Sequence, residues 1–414
     1  MPAPFHSLTG ACTGPTTGPT TASRTAPGRP FGAVRAEFAY GWNNSPRRLM
    51  RVTRSALDGR DTPGEVTVSY SPAGGPSLAY VGLPAGRTNI LQLLEHQRDP
   101  AGPEPVRHTG GGRLRDLAEG RWPDADIVLV GAEAHRLREL PSARSVTAPF
   151  RVHLVVDVPA DPAELRARIS RREREVFRRG TRRHGWGWQE DPSAEAFDEF
   201  YRRLHLPTMV RRHGERLRSE SRAVARHAIL RHGTLFFVTQ DGVRVAGVLC
   251  HWSPDHRTLT TRLLGVRDGD PEHYASGAFK AAYHLLLAWA CEHGVPHVDF
   301  FGTEAFVSKG IFQWKRRFGP RVELPPNHFA SKRLRLYVRR DTPAVRDFLV
   351  ANPLLTVAAP GTSGLLAPVY FADRDRPARL DLSSRCAGLP EPRVLDLDDF
   401  LTSAPRASPI TGAS

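Results

Sequence analysis

Cysteine is scarce. Cys12, Cys250, Cys291 and Cys386 are the four in 414 residues, and no two of them stand in a CxxC or CxxH spacing. That removes a disulfide framework and a cysteine zinc site as organising principles, and a reducing compartment, the cytoplasm, is expected. No apolar run reaches the ~18 residues of a membrane span, and the first residues lack the charged-then-apolar pattern of a secretion signal. The histidines show no HExxH spacing, so no metal and no bound cofactor is expected. Acid is the minority charge: 43 Asp and Glu stand against 58 Lys and Arg, a net +15. A surplus of that size favours polyanionic or phosphate-bearing partners, and an arginine-rich composition accounts for it equally well.

Residues 1–30 hold Thr, Pro, Gly and Ala with almost no large apolar side chains. Such a segment cannot offset its ordering entropy and is expected to be disordered. A first lobe, 31–149, follows. It has strand-like VTVSYS and SLAYVGL around a PAGG turn, a helix over Thr88 to Gln97, loop from Asp99 to Gly112 and a buried strand DIVLVGA. A second lobe, 150–325, opens with the strand RVHLVVDVP. Asp161 and Pro162 then start a helical stretch in which Leu165 to Gly185 holds nine Arg against two Glu. An amphipathic helix runs from Ser193 to Arg212, with Pro207 bending or ending it. LFFVTQ-DG-VRVAGVLCHW is a hairpin, TLTTRLLGV a third strand, and the helix SGAFKAAYHLLLAWACEHG leads into the strand VDFFG. Residues 326–414 read as a partly disordered C-terminal extension, with KRLRLYVRR an edge strand or a helix.

Within that plan the stretch His297 to Gly319, HVDFFGTEAFVSKGIFQWKRRFG, concentrates chemistry. Asp299 is an acid inside an apolar strand, which is costly unless it is paired or used. The block that follows joins cations to aromatic faces, a combination suited to phosphates and stacked bases.

Strand, strand, strand, helix, strand is the core order of GNAT acyltransferases. The runs FYRRLHLPTMVRRHG, LFFVTQDGVRVAGVL, LLGVRDGD, SGAFKAAYHLLLAWACEHGVPHVDFFG and GIFQWKRRFG resemble the Fem-type branch, the peptidoglycan-bridge aminoacyltransferases, from roughly Phe150 to Gly319. The resemblance implies an α/β fold of two GNAT-like lobes, each a mixed, mostly antiparallel sheet flanked by helices, the first a degenerate copy. It also implies amide formation on an amine of a peptidoglycan precursor or a natural-product intermediate, with an aminoacyl-tRNA as co-substrate. An acyl-CoA is the alternative donor, and a non-catalytic RNA-binding protein on the same scaffold is a further alternative. CoA-using members cradle pyrophosphate on a Q/R-x-x-G-x-G/A loop at a helix N-terminus. Here that junction reads GVRDGDPEHYASGAF, with the wrong spacing and with Asp268, Asp270 and Glu272 crowding it.

Amide formation needs a proton acceptor for the amine and a stabiliser for the oxyanion. Asp299 and Glu304 are the candidate acceptors, with backbone hydrogen bonding the plainer role for Asp299. Lys315 matches the lysine of the family's terminal motif and is the candidate for oxyanion or phosphate stabilisation. Arg316, Arg317, Trp314, Phe301, Gly302, Thr303, Lys309, Tyr274, Lys280 and Arg212 are the candidate substrate-binding residues, and a core role competes for Trp314. His251 and Asp255 form an HxxxD spacing read as chance.

Overall fold

A computed structural model describes residues 31–60, 64–214, 219–357 and 366–402. The expected disorder of residues 1–30 therefore lies outside the described residues. Five strands come first: β1 (Gly64–Tyr70), β2 (Leu78–Gly82), β3 (Val106–Gly112), β4 (Ile127–Glu133) and β5 (Ser145–Pro149). Seven follow in the central stretch: β6 (Val152–Asp157), β7 (Gly187–Glu190), β8 (Gly233–Gln240), β9 (Val243–Trp252), β10 (Thr258–Val266), β11 (His297–Thr303) and β12 (Arg321–Glu323). The last four are β13 (Lys332–Val338), β14 (Leu354–Val357), β15 (Leu366–Ala372) and β16 (Arg393–Asp396).

The first sheet has the order β3-β1-β2-β4-β13-β5, and the second β12-β6-β11-β10-β9-β8-β7. In each, an antiparallel run meets one parallel pair, β2 with β4 and β10 with β11, and then turns antiparallel again. The fold is thus α/β with two lobes of mixed, mostly antiparallel sheet, as expected. Asp241 and Gly242 take φ of 50° and 76° in the β8-β9 turn, which their short or absent side chains allow.

Three stretches differ from the sequence reading. Residues Val106–Gly112, read as loop, pair with β1 along seven positions. Their three glycines and exposed charges hide a strand that lies on the sheet edge. Lys332–Val338, assigned to the C-terminal extension, is an interior strand between β4 and β5. Its alternating cations disguise it: Lys332 is buried on Glu133, 2.9 Å away, and on Asp58 at 2.9 Å. The extension itself carries a third sheet, β14-β15-β16, whose Leu354, Leu366, Val369 and Phe371 belong to one core with the first lobe and with Val152 and Leu154 of β6.

The second lobe stacks helices on both faces of its sheet. On one face the helix Ala278–Glu292 covers Phe236, Val248, Val298 and Phe300. On the other the helices around Phe197, Phe200, Leu204 and Ile229 cover Leu235, Phe237 and Leu249. Pro207 does not end its helix. A wide turn over Phe200–His205 absorbs the missing N–H, and the helix resumes over Leu206–His213. No helix among the described residues is long and apolar enough to cross a membrane.

Candidate active site

Strand β11 is where the second sheet opens. It pairs with β10 in parallel over only three positions, Thr258 to Thr260 against His297 to Asp299. Its antiparallel register with β6 breaks between Asp299 and Gly302. Inside that break Phe301 takes φ of 63°, a left-handed conformation that costs a bulky residue about 1 kcal/mol or more. The break frees backbone groups and turns side chains toward a cavity of about 600 Å³ between the lobes.

Asp299 is buried. Its Oδ1 accepts from the Phe301 N–H at 2.8 Å, and its Oδ2 accepts from His153 Nδ1–H at 2.6 Å. His153 lines the cavity, and with Nδ1 held by Asp299 its Nε2 is the ring nitrogen left for a further partner. A Cβ built on Gly302 would meet His153 Nε2 and Arg151 Nε, each at 3.2 Å, so these two side chains converge over one bare stretch of backbone.

Lys315 is buried beneath the same break, and its ammonium donates to the Phe300 carbonyl. Burial pushes its pKa down to about 8, with Asp299 opposing and Arg151 adding to the fall. Arg151 reaches the Gly302 carbonyl at 3.3 Å and lies 5.6 Å from the centre of the Phe301 ring and 5.7 Å from that of Phe329. Arg262 lies 4.1 Å from the centre of the same Phe301 ring and is tied to Asn44 at 2.8 Å and Glu220 at 3.2 Å.

The sequence-derived candidates fall into separate groups. Phe301 lines the cavity, Asp299 and Gly302 contact its wall residues His153 and Arg151, and Lys315 is buried on the Phe300 carbonyl beside them. Thr303 is buried, and its hydroxyl has no partner among the described residues. Glu304 does not stand at an open rim. It is buried in an ion pair with Lys309, in a segment that bonds to the C-terminal sheet through Leu355 N–H and the Ala305 carbonyl at 2.8 Å. Arg316 bonds Gln313 at 2.9 Å, and Arg317 faces Glu173 at 3.5 Å.

A second group collects at the N-terminal end of the Ala278–Glu292 helix. Trp314 packs edge-on against Tyr283 at 4.6 Å, its enclosed Nε1 lacks a partner, and Lys280 lies 6.0 Å from its ring. Arg212 covers Tyr274 at 4.9 Å. His251 packs on Tyr40 at 5.0 Å while Asp255 accepts from Arg257 N–H at 3.2 Å, so that pair forms no unit.

His153, Arg151 and Arg262 were missed from sequence. The available signal was the polar alternation Arg151, His153 at the start of an otherwise apolar strand, the same anomaly that singled out Asp299.

The turn after β10 is filled by the chain itself. Asp268 pairs with Arg203 at 2.8 Å, Arg267 with Glu199 at 3.2 Å, and Asp270 caps the next helix through Glu272 N–H at 2.8 Å. Seven arginines of the Arg171–His184 helix, at positions 171, 172, 174, 178, 179, 182 and 183, are exposed.

Residues 163–328 match the family described as acetyltransferase (GNAT) domain. A search of curated proteins finds no match. Among solved structures, L-PGS from Bacillus licheniformis is 13% identical, with 74% of this chain and 96% of that one covered at a TM-score of 0.33. FemX is 11% identical over 73% of this chain and 95% of that one at 0.35. A GCN5-related N-acetyltransferase from Kribbella flavida is 15% identical over 71% and 97% at 0.26. At these scores, substrate and mechanism rest on the geometry of the site itself.

Proposed function

We propose that the chain, built around the GNAT acyltransferase domain of residues 163–328, transfers an acyl group to an amine bound in the inter-lobe cavity, with His153 as the base. The observation that carries this reading is the buried Asp299–His153 pair at 2.6 Å on the cavity wall. The carboxylate fixes the tautomer and steadies the imidazolium that forms. The free amine attacks the acyl carbon, and its proton passes to His153 Nε2. The tetrahedral oxyanion collapses, and the proton leaves with the departing alkoxide or thiolate. Lys315 places positive charge behind the Asp299–Phe300 backbone and supports the oxyanion electrostatically.

The donor we favour is an aminoacyl-tRNA ester. The turn where a CoA pyrophosphate would sit is acid-lined and occupied by its own ion pairs, and the exposed arginines of the Arg171–His184 helix supply a phosphate-facing surface. Peptidoglycan precursors and natural-product intermediates are the acceptor classes to screen.

Charged tRNAs and acyl-CoAs, offered in parallel against an amine panel with and without RNase, test the donor. RNase-resistant transfer from a purified acyl-CoA would sink the tRNA reading. His153→Gln is expected to lower kcat/KM by about 100-fold or more with an unshifted denaturant midpoint. Unchanged kinetics would remove His153 as base.

A further inference from the structure

The charged groups of the cavity wall balance one another, with one exception. Lys332 and Arg54 share Asp58, each at 2.9 Å, and Lys332 also meets Glu133. Arg262 is paired with Glu220. His153 is held by Asp299. Among the described residues no carboxylate pairs with Arg151. Its Nε is fully enclosed and without a partner, and its one hydrogen bond is the long 3.3 Å contact to the Gly302 carbonyl. The flanking rings of Phe301 and Phe329 offset part of the desolvation cost and also hold the guanidinium plane in place. A half-buried guanidinium with its Nε enclosed, packed against two rings at the wall of an open cavity, has the form of an oxyanion receptor.

We propose that Arg151 binds an oxyanion carried by the acceptor itself, so that the acceptor is a small molecule with an amine and an anionic group on neighbouring atoms. The inference rests on the transfer reading above and narrows its acceptor. Arg151 Nε and His153 Nε2 each lie 3.2 Å from the same point above Gly302. The two nitrogens are thus neighbours, and since Arg151 and His153 both line the cavity one compact molecule can span them: its anion meets the terminal nitrogens of the guanidinium, the Nε being enclosed, and its amine meets the imidazole that takes the proton. An amino acid carboxylate and the phosphate of a phosphorylated amine share this chemistry. A plain alkylamine or an amide-blocked amino acid lacks it.

Calorimetric titration of the full chain, with no acyl donor present, tests the inference separately from catalysis. The probes are the free amino acids, their carboxamides and aminoalkylphosphonates of matching length. At least one acid or phosphonate is expected to bind about tenfold or more tightly than its uncharged counterpart, and Arg151→Met is expected to abolish that preference. Arg151→Lys, which keeps the charge and loses the fork, is expected to restore part of it. A carboxylate preference assigns an amino acid acceptor, and a phosphonate preference a phosphorylated amine. Equal binding of acids and amides by the wild-type chain, or no binding by either, overturns the proposal without any variant having to fold. Binding that persists in a chain that transfers nothing would instead sink the catalytic reading and leave this one standing.

Discussion

A lysine ammonium held in a protein core loses hydration that one carbonyl does not replace, and Lys315 shows the consequence in a pKa pushed down to about 8. The sign of its effect on stability follows. Below pH 8 the lysine is charged in both the folded and unfolded states, and the full penalty falls on the folded one. Between about 8 and the ordinary lysine value the unfolded chain binds the extra proton, and stability rises with pH. Lys315→Met is therefore expected to raise unfolding free energy at pH 7 by about 1–2 kcal/mol, after loss of the hydrogen bond to Phe300, and the gain should fade above pH ~10. Denaturant titration across that range measures it. Transfer should fall about tenfold or more in the same variant, and full activity would leave Lys315 a burden with no role in the site. Sequence made Asp299 visible as a charge among apolar residues, and Lys315 through its match to the lysine of the family's terminal motif. It did not make the His153–Asp299 pair visible, since 146 residues separate its members and only the β6-β11 pairing brings them together.

At the scale of elements, strands β6, β8, β9, β10 and β11 and the long helices of the second lobe were legible because they carry a clean period and a turn or cap residue, whereas the short strands at its edges, β7 and β12, were not read. Nor was the break in β11. A bulge is a property of two strands in register, and the run VDFFG gives no sign that Asp299 pairs with Val155 while Gly302 pairs with His153. Gly302 is the residue that lets the break serve as a site, because a bare Cα leaves room for Arg151 and His153 above it. Gly302→Ala places a methyl 3.2 Å from a nitrogen of each, closer than ordinary contact. Both neighbours are side-chain ends that can shift by a fraction of an ångström, so the fold should survive with unfolding free energy changed by about 1 kcal/mol or less. The site should not, because even a shift of that size moves the imidazole and the guanidinium off the positions they hold beside Gly302. A fall in kcat/KM of about tenfold or more, with an unshifted denaturant midpoint, is the expected pairing. Normal kinetics would show that the two side chains act independently of the backbone beneath them.

The molecule as a whole is less divisible than its sequence suggests. Every strand of the second sheet falls between Val152 and Glu323, but the first sheet is interrupted: β13 arrives from residues 332–338 and fills the gap between β4 and β5. The second lobe is therefore inserted into the first, which local periodicity cannot reveal because strand order is a non-local property. The inter-lobe cavity depends on this arrangement. Its wall takes Asn44, Asp58 and Leu83 from before the insertion, Arg151, His153 and Phe301 from within it, and His328 and Lys332 from after it. A fragment of residues 31–149 would leave β4 and β5 with unpaired edges and would expose the Leu78, Ile127 and Leu129 face that β13 and the C-terminal sheet help to cover. Expressed alone, it is expected to lack a cooperative unfolding transition and the near-ultraviolet circular dichroism of packed aromatics. Adding residues 150–402 in trans should restore both signals, since that piece carries β13. A fragment 31–149 that is monomeric and unfolds cooperatively by itself would mean that β13 is an accessory to the first lobe and not part of its core.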